Sequence, residues 1–137
     1  MEGPLPFMRL AYIAGPFRAK NAWEIECNIR RAETLSLEVW NVPGWCAICP
    51  HTNTRFFQGA APDEVWLQGD LEILRRCDGV VLTKDWLRSS GARAEVKEAI
   101  RCGIPIYGDA HYLQLGIVTN YHDLEDAIES YAETFNK

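Results

Sequence analysis

Residues 78–83 (DGVVLT) constrain the fold more than any other stretch. The run is short, continuous and rich in β-branched side chains, the pattern of a strand covered on both faces inside a parallel sheet. Parallel strands need crossover connections, usually helical, and the flanking sequence supplies them. Residues 8–14 (MRLAYIA) read as a first buried strand running into the Gly15-Pro16 turn. From about residue 22 to 40, Ile25, Ile29, Ala32, Ser36, Val39 and Trp40 recur at helical spacing, while Glu24, Glu26, Arg30, Arg31 and Glu33 fall mostly off that stripe. Residues 41–44 break this helix, 45–48 read as a second strand, 50–62 as a polar loop and 63–77 as another helix. Past the central run, residues 84–90 read as a loop and 91–102 as a helix closed by Gly103. Residues 104–107 and 117–118 then read as strands and 124–135 as the last helix. The expected fold is α/β, a single domain over residues 1–137 with a three-layer, Rossmann-like or flavodoxin-like parallel sheet and right-handed crossovers.

In such a sheet a ligand sits beyond the C-terminal strand ends, where residues 15–18, 49–54 and 84–90 all fall. Fourteen Lys and Arg against 19 Asp and Glu give a net charge of -5, which leaves no global positive field for a nucleic-acid backbone. Polymeric DNA or RNA is therefore not the expected partner. One local cluster of donors can still hold a small phosphorylated ligand. No window approaches the roughly 18 apolar residues that span a bilayer, and residues 1–7 lack the basic and apolar regions of a secretion signal. The expectation is a cytoplasmic protein without a membrane partner. Cys27, Cys46, Cys49, Cys77 and Cys102 are odd in number and lack disulfide-framework spacing, which fits a reducing compartment.

Two carboxylates occupy unusual places. Asp70 falls within the apolar stripe of Trp66, Leu67, Ile73, Leu74 and Cys77 rather than with Gln68, Glu72 and Arg75. A carboxylate on a buried face is either a structural cap or a site residue with a perturbed pKa. Glu95 lies one turn into the helix that starts near Ser90-Gly91, flanked by small residues. It is either an acid favoured by the helix dipole, contributing about 0.3 to 1 kcal/mol, or a carboxylate set to attack a sugar carbon at the strand ends. Ser89, Ser90 and Gly91 offer hydroxyls and free N–H groups to an anion, or simply cap the helix. Gly15, Pro16, Phe17 and Arg18 follow the first strand, with Arg18 as the best-placed cation, and Trp86 in the 84–90 loop joins the candidate ligand contacts. Cys46, Cys49 and His51 have half of a zinc or redox spacing without a second pair to complete it. His51 is expected as a loop residue near the ligand or a hydrogen-bonded structural histidine, and no metal is assigned.

The ordered series Tyr12-Ile-Ala-Gly15-Pro16, Cys49-Pro50-His51, Asp70 eight residues before Asp78-Gly-Val-Val, and Ser89-Ser-Gly91-Ala-Arg-Ala-Glu95 resembles the nucleoside 2-deoxyribosyltransferase superfamily. The likeness covers most of residues 8 to 107 and is greatest to its short phage and bacterial branch; the superfamily also includes 2'-deoxynucleoside 5'-monophosphate N-hydrolases. The resemblance implies Glu95 as nucleophile, Asp70 in base recognition or protonation, and Tyr12 orienting the nucleophile. Ser89 stands where the free-nucleoside transferases have an aspartate, and the nucleotide hydrolases have a serine that holds the 5'-phosphate. The implied activity is cleavage or transfer at the N-glycosidic bond of a 2'-deoxyribonucleoside or its 5'-monophosphate, with no cofactor. The implied assembly is a homodimer or higher homo-oligomer, consistent with five Trp, five Tyr and five Phe in so short a chain. A non-catalytic nucleotide-binding module and a zinc or redox protein are the competing readings.

Overall fold

The computed structural model describes residues 7–135 of the chain. Among them, β1 (Arg9–Ala14), β2 (Trp45–Ile48), β3 (Gly79–Leu82) and β4 (Ile106–Tyr107) form one parallel sheet in the order β2-β1-β3-β4. The helices are α1 (Ala22–Trp40), α2 (Pro50–Asn53), α3 (Asp63–Arg75), α4 (Ser90–Cys102), α5 (Ala110–Leu115) and α6 (Tyr121–Phe135). Strand alternation divides the core into two layers. Ala11 and Ile13 of β1 and Val81 of β3 meet Ala32, Leu35 and Val39 of α1 and Leu113 of α5. Tyr12 and Ala14, with Val80 and Leu82, face Leu74 of α3, Val96 and Ala99 of α4, and Leu124 and Ile128 of α6. All four residues of β3 are buried, as its unbroken apolar run requires.

Local chemistry sets the boundaries. Asn21 caps α1 by accepting from Glu24 N at 2.9 Å, Ser89 caps α4 by accepting from Ala92 N at 3.1 Å, and Gly103 ends α4 in the left-handed region at φ 71°. The expected strand over 104–107 is confined to Ile106–Tyr107, since Pro105 has no N–H to give the ladder. The expected polar loop over 50–62 contains α2, started by Pro50 in the first helical position. The expected strand at 117–118 does not form: both residues are exposed and outside the sheet. The chain before them instead makes α5, capped by Asp109 accepting from Tyr112 N, and the chain after them meets β4 through the backbone bond from Thr119 N to Ile106 O.

The sheet opens where its connections diverge. After β1 the chain enters α1 on one face, and after β3 it enters α4 on the other. The crevice between these strand ends is the topological switch point at which open α/β sheets bind ligands. Gly15 closes its floor against β3, because a Cβ there would stand 2.4 Å from Thr83 Oγ1.

Candidate active site

A cleft of about 600 Å³ lies at that switch point, walled by the turn after β1, α2, α3 and the start of α4. Glu95 reaches it from α4 and is only 7% exposed. Beneath it, Tyr12 of β1 is fully buried and its hydroxyl donates to Glu95 Oε2. Burial and the nearby Glu95 and Asp70 charges push the Tyr12 phenol far above its ordinary range, so it remains a donor. Burial pushes Glu95 up to about 8; the Tyr12 bond opposes this and the charge of Asp70 adds to it. Asp70, half-buried on α3, is itself pushed up to about 6 by burial. Two carboxyls raised above their ordinary range thus share one cleft, and Glu95 feels the charge of Asp70.

α3 presents Asp63, Trp66, Leu67 and Asp70 to the cleft along one side, as residues three and four apart must. Asp63, at the mouth, binds Arg18 Nη1 at 2.9 Å, with both side chains more than half exposed. Trp66 packs on Phe57, ring centroids 5.8 Å apart, and its buried Nε1 has no hydrogen-bond partner among the described residues.

At the opposite wall, Ser89 spends its side-chain oxygen on the α4 cap, while the N–H groups of Ser90 and Gly91 lie in the first turn with no intrahelical acceptor. Arg88 stands beside them, held by Asp85 Oδ2 at 2.8 Å. Thr83 Oγ1 donates to Asp85 Oδ1 at 2.9 Å. Burial draws the Asp85 carboxyl upward, but the Arg88 and Thr83 hydrogen bonds outweigh it and hold the group below its ordinary value.

The cleft therefore gathers Glu95, Asp70, Gly15, Phe17, Arg18, His51, Ser89, Ser90 and Gly91, with Tyr12 directly beneath Glu95. Two expected contacts lie elsewhere. Trp86 packs against the core layer of α4 and α6, and Pro16 is buried behind the turn, meeting His51 through its carbonyl. Arg18 is at the cleft but is already paired. Arg88, Trp66 and Asp63 are cleft residues that the sequence did not single out. Trp66 could have been found from its position four residues before Asp70, on the same side of the helix; its apolar character assigned it to the core instead. Cys46 and Cys49 diverge: Cys46 donates to Arg9 O, whereas Cys49 faces His51. No cluster of three or more His, Cys, Asp or Glu able to hold a metal occurs among the described residues.

Solved structures share this architecture. A conserved protein from Enterococcus faecalis superposes with a TM-score of 0.59 at 18% identity, over 90% of this chain and 98% of that one. A 2-deoxyribosyltransferase from the psychrotolerant bacterium Bacillus psychrosaccharolyticus superposes with a TM-score of 0.50 at 18% identity, over 85% of this chain and 90% of that one. Likeness at this identity is likeness of fold. No curated protein matches the sequence. A family profile does match, described as a domain of unknown function, DUF7768, over residues 9–108, a span that runs from β1 through β4 and includes every cleft wall. The chain belongs to the DUF7768 family.

Proposed function

We propose that the cleft breaks or exchanges the N-glycosidic bond of a 2'-deoxyribonucleoside or its 5'-monophosphate, with Glu95 as the nucleophile. The observation that carries this reading is a buried glutamate at a switch-point cleft, bonded by a buried tyrosine hydroxyl and facing a second raised carboxyl. The fold shared with a 2-deoxyribosyltransferase supports the sugar and the bond.

The chemistry follows from the two carboxyls. Near neutral pH the pair holds one proton, because Asp70 titrates at about 6 and Glu95 at about 8. The productive arrangement has the proton on Asp70 and the charge on Glu95. Tyr12 favours it by donating to the Glu95 carboxylate, and a leaving base favours it by accepting from Asp70. A Glu95 oxygen then bonds to C1' as the C1'–N bond breaks and its electron pair leaves with the base, which takes the Asp70 proton. Water or a second base attacks C1' in turn, frees the Glu95 carboxylate and gives its proton to Asp70. The free N–H groups of Ser90 and Gly91, with Arg88 and Arg18 nearby, suit a 5'-phosphate. The proposal includes a homo-oligomer, supported by Trp23 and Phe56, which are 74% and 85% exposed.

Incubation with each deoxynucleoside and deoxynucleoside monophosphate, followed by chromatography for free base, tests the reading. Base release lost on Glu95→Gln is the expected result. One observation favours a second reading, a non-catalytic nucleotide sensor: a glutamate that titrates at about 8 is mostly protonated at neutral pH and can donate a hydrogen bond to a sugar hydroxyl. Nucleotide binding without base release from any substrate identifies that case.

A further inference from the structure

His51 takes no part in the proposed bond cleavage, yet it is buried at the cleft and fully engaged. Its Nε2 lies 3.1 Å from Gly15 O and 3.0 Å from Pro16 O. Carbonyl oxygens only accept, so Nε2 carries the proton and shares it between them, leaving Nδ1 bare. The bare nitrogen lies 3.9 Å from Cys49 Sγ. Burial pushes the Cys49 thiol up to about 11, which keeps its proton on sulfur and available to Nδ1. Burial likewise holds the imidazole below its ordinary range, although the two carbonyls oppose this, and so keeps it neutral. One tautomer of one protonation state satisfies every polar atom of the group.

The carbonyls it holds belong to the turn after β1. The next one, Phe17 O, accepts from the buried Asn28 Nδ2 at 3.1 Å, and Gly15 is pressed against Thr83 on its other side. Three successive carbonyls are therefore tied down by side chains from α1 and α2. Phe17 and Arg18, which line the cleft, hang from this turn, and the Phe17 ring leans on the His51 ring with centroids 6.1 Å apart.

We infer that His51 is a positioning residue: its Nε2–H clamps the Gly15 and Pro16 carbonyls and so sets where Phe17 and Arg18 meet the ligand. The Cys49-Pro50-His51 sequence is then one device, with Cys49 fixing the tautomer and Pro50 starting the turn of helix that presents the ring. Only the kinetic readout rests on the proposed nucleoside reading; the clamp is a property of the fold.

Two variants separate the clamp from mere packing. His51→Gln keeps an N–H donor at the reach of Nε2, whereas His51→Leu keeps bulk without a donor. His51→Leu is expected to raise KM at least about tenfold, with kcat within about threefold because Glu95, Asp70 and Tyr12 are untouched, while His51→Gln stays near wild type in both. Nitrogen NMR of the wild type should find His51 as the neutral Nε2–H tautomer at neutral pH. Equal loss in both variants, an unchanged KM in a folded His51→Leu, or an Nδ1–H tautomer overturns the clamp. If the wild type neither binds nucleotides nor releases base, the functional reading has failed. The clamp is then decided by the tautomer and by hydrogen exchange over residues 15–19, expected to be faster in His51→Leu than in His51→Gln; equal rates overturn it. If His51→Leu does not fold, the wild-type tautomer and the kinetics of His51→Gln decide: the Nε2–H form with near-wild-type KM supports the clamp, and either one failing overturns it.

Discussion

α4 carries two glutamates three residues apart that live in opposite electrostatic worlds. Glu98, on the outer flank, meets Arg75 at 2.7 Å and also binds Arg101, and hydrogen bonds from both hold its carboxyl below the ordinary range. Glu95, one turn nearer the cleft, meets a tyrosine hydroxyl and a second carboxyl, with no cation contributing among the described residues, and is pushed up to about 8. The helix, the residue type and the backbone are the same, so the neighbours alone make the difference. A carboxylate that served only stability would be paired as Glu98 is; Glu95 is left desolvated, which weakens the fold and suits chemistry.

The contrast breaks most sharply at Glu95 itself. Glu95→Gln keeps the shape and can still accept from Tyr12, yet it is expected to lower base release at least about a thousandfold, since the nucleophilic oxygen anion is gone. Stability should move the other way. The folded carboxyl titrates at about 8 against an ordinary 4.5, so the native state holds its proton more tightly. That contribution is full below 4.5 and is lost as pH rises through about 8. The variant, freed of this loss, should melt above the wild type at pH 8 by several degrees and by much less at pH 5. A variant less stable at both pH values would mean that Glu95 is a structural residue.

Asp70 sharpens the contrast by showing what the second carboxyl does. Asp70→Asn should slow base release about a hundredfold, but it should hardly affect a deoxynucleoside whose base already carries a positive charge, departs as a neutral molecule and needs no proton. The wild-type rate should be bell-shaped in pH, with limbs near 6 and 8, because only the singly protonated pair is productive. In Asp70→Asn the alkaline fall should vanish, leaving a rise set by Glu95 below about 8, since the repulsion that helped raise it is gone. An unchanged bell would assign the limbs to other groups.

The smallest effect belongs to Glu98. Glu98→Gln should leave the rate within about twofold and lower the melting point by a few degrees, an effect that added salt diminishes because the paired Arg75 and Arg101 are themselves partly exposed. Its stabilising share is present above the ordinary carboxylate pKa and fades as pH falls through the lowered value. A large loss of activity would show that the two sides of α4 are coupled.

Local patterns in the sequence determined most of the architecture. Apolar periodicity is a short-range property, so α1 and β2 lie within the expected spans, α4 begins one residue earlier, and the two odd carboxylates share one cleft. The strand expected at 117–118 failed because an apolar pair becomes a strand only when a neighbouring edge accepts it, and nothing local records that. The pairing of Tyr12 with Glu95 joins residues 83 apart, and Tyr12 was singled out through resemblance, since a tyrosine within a strand reads as core. Only the tertiary structure sent Arg18 to Asp63, turned Trp66 toward the cleft and Trp86 toward the core, and set His51 against two backbone carbonyls. Each of these depends on which distant groups come within hydrogen-bond reach and how far water is excluded around them. Those distances and that exclusion also make Glu95 and Glu98 different, although the sequence writes them with the same letter.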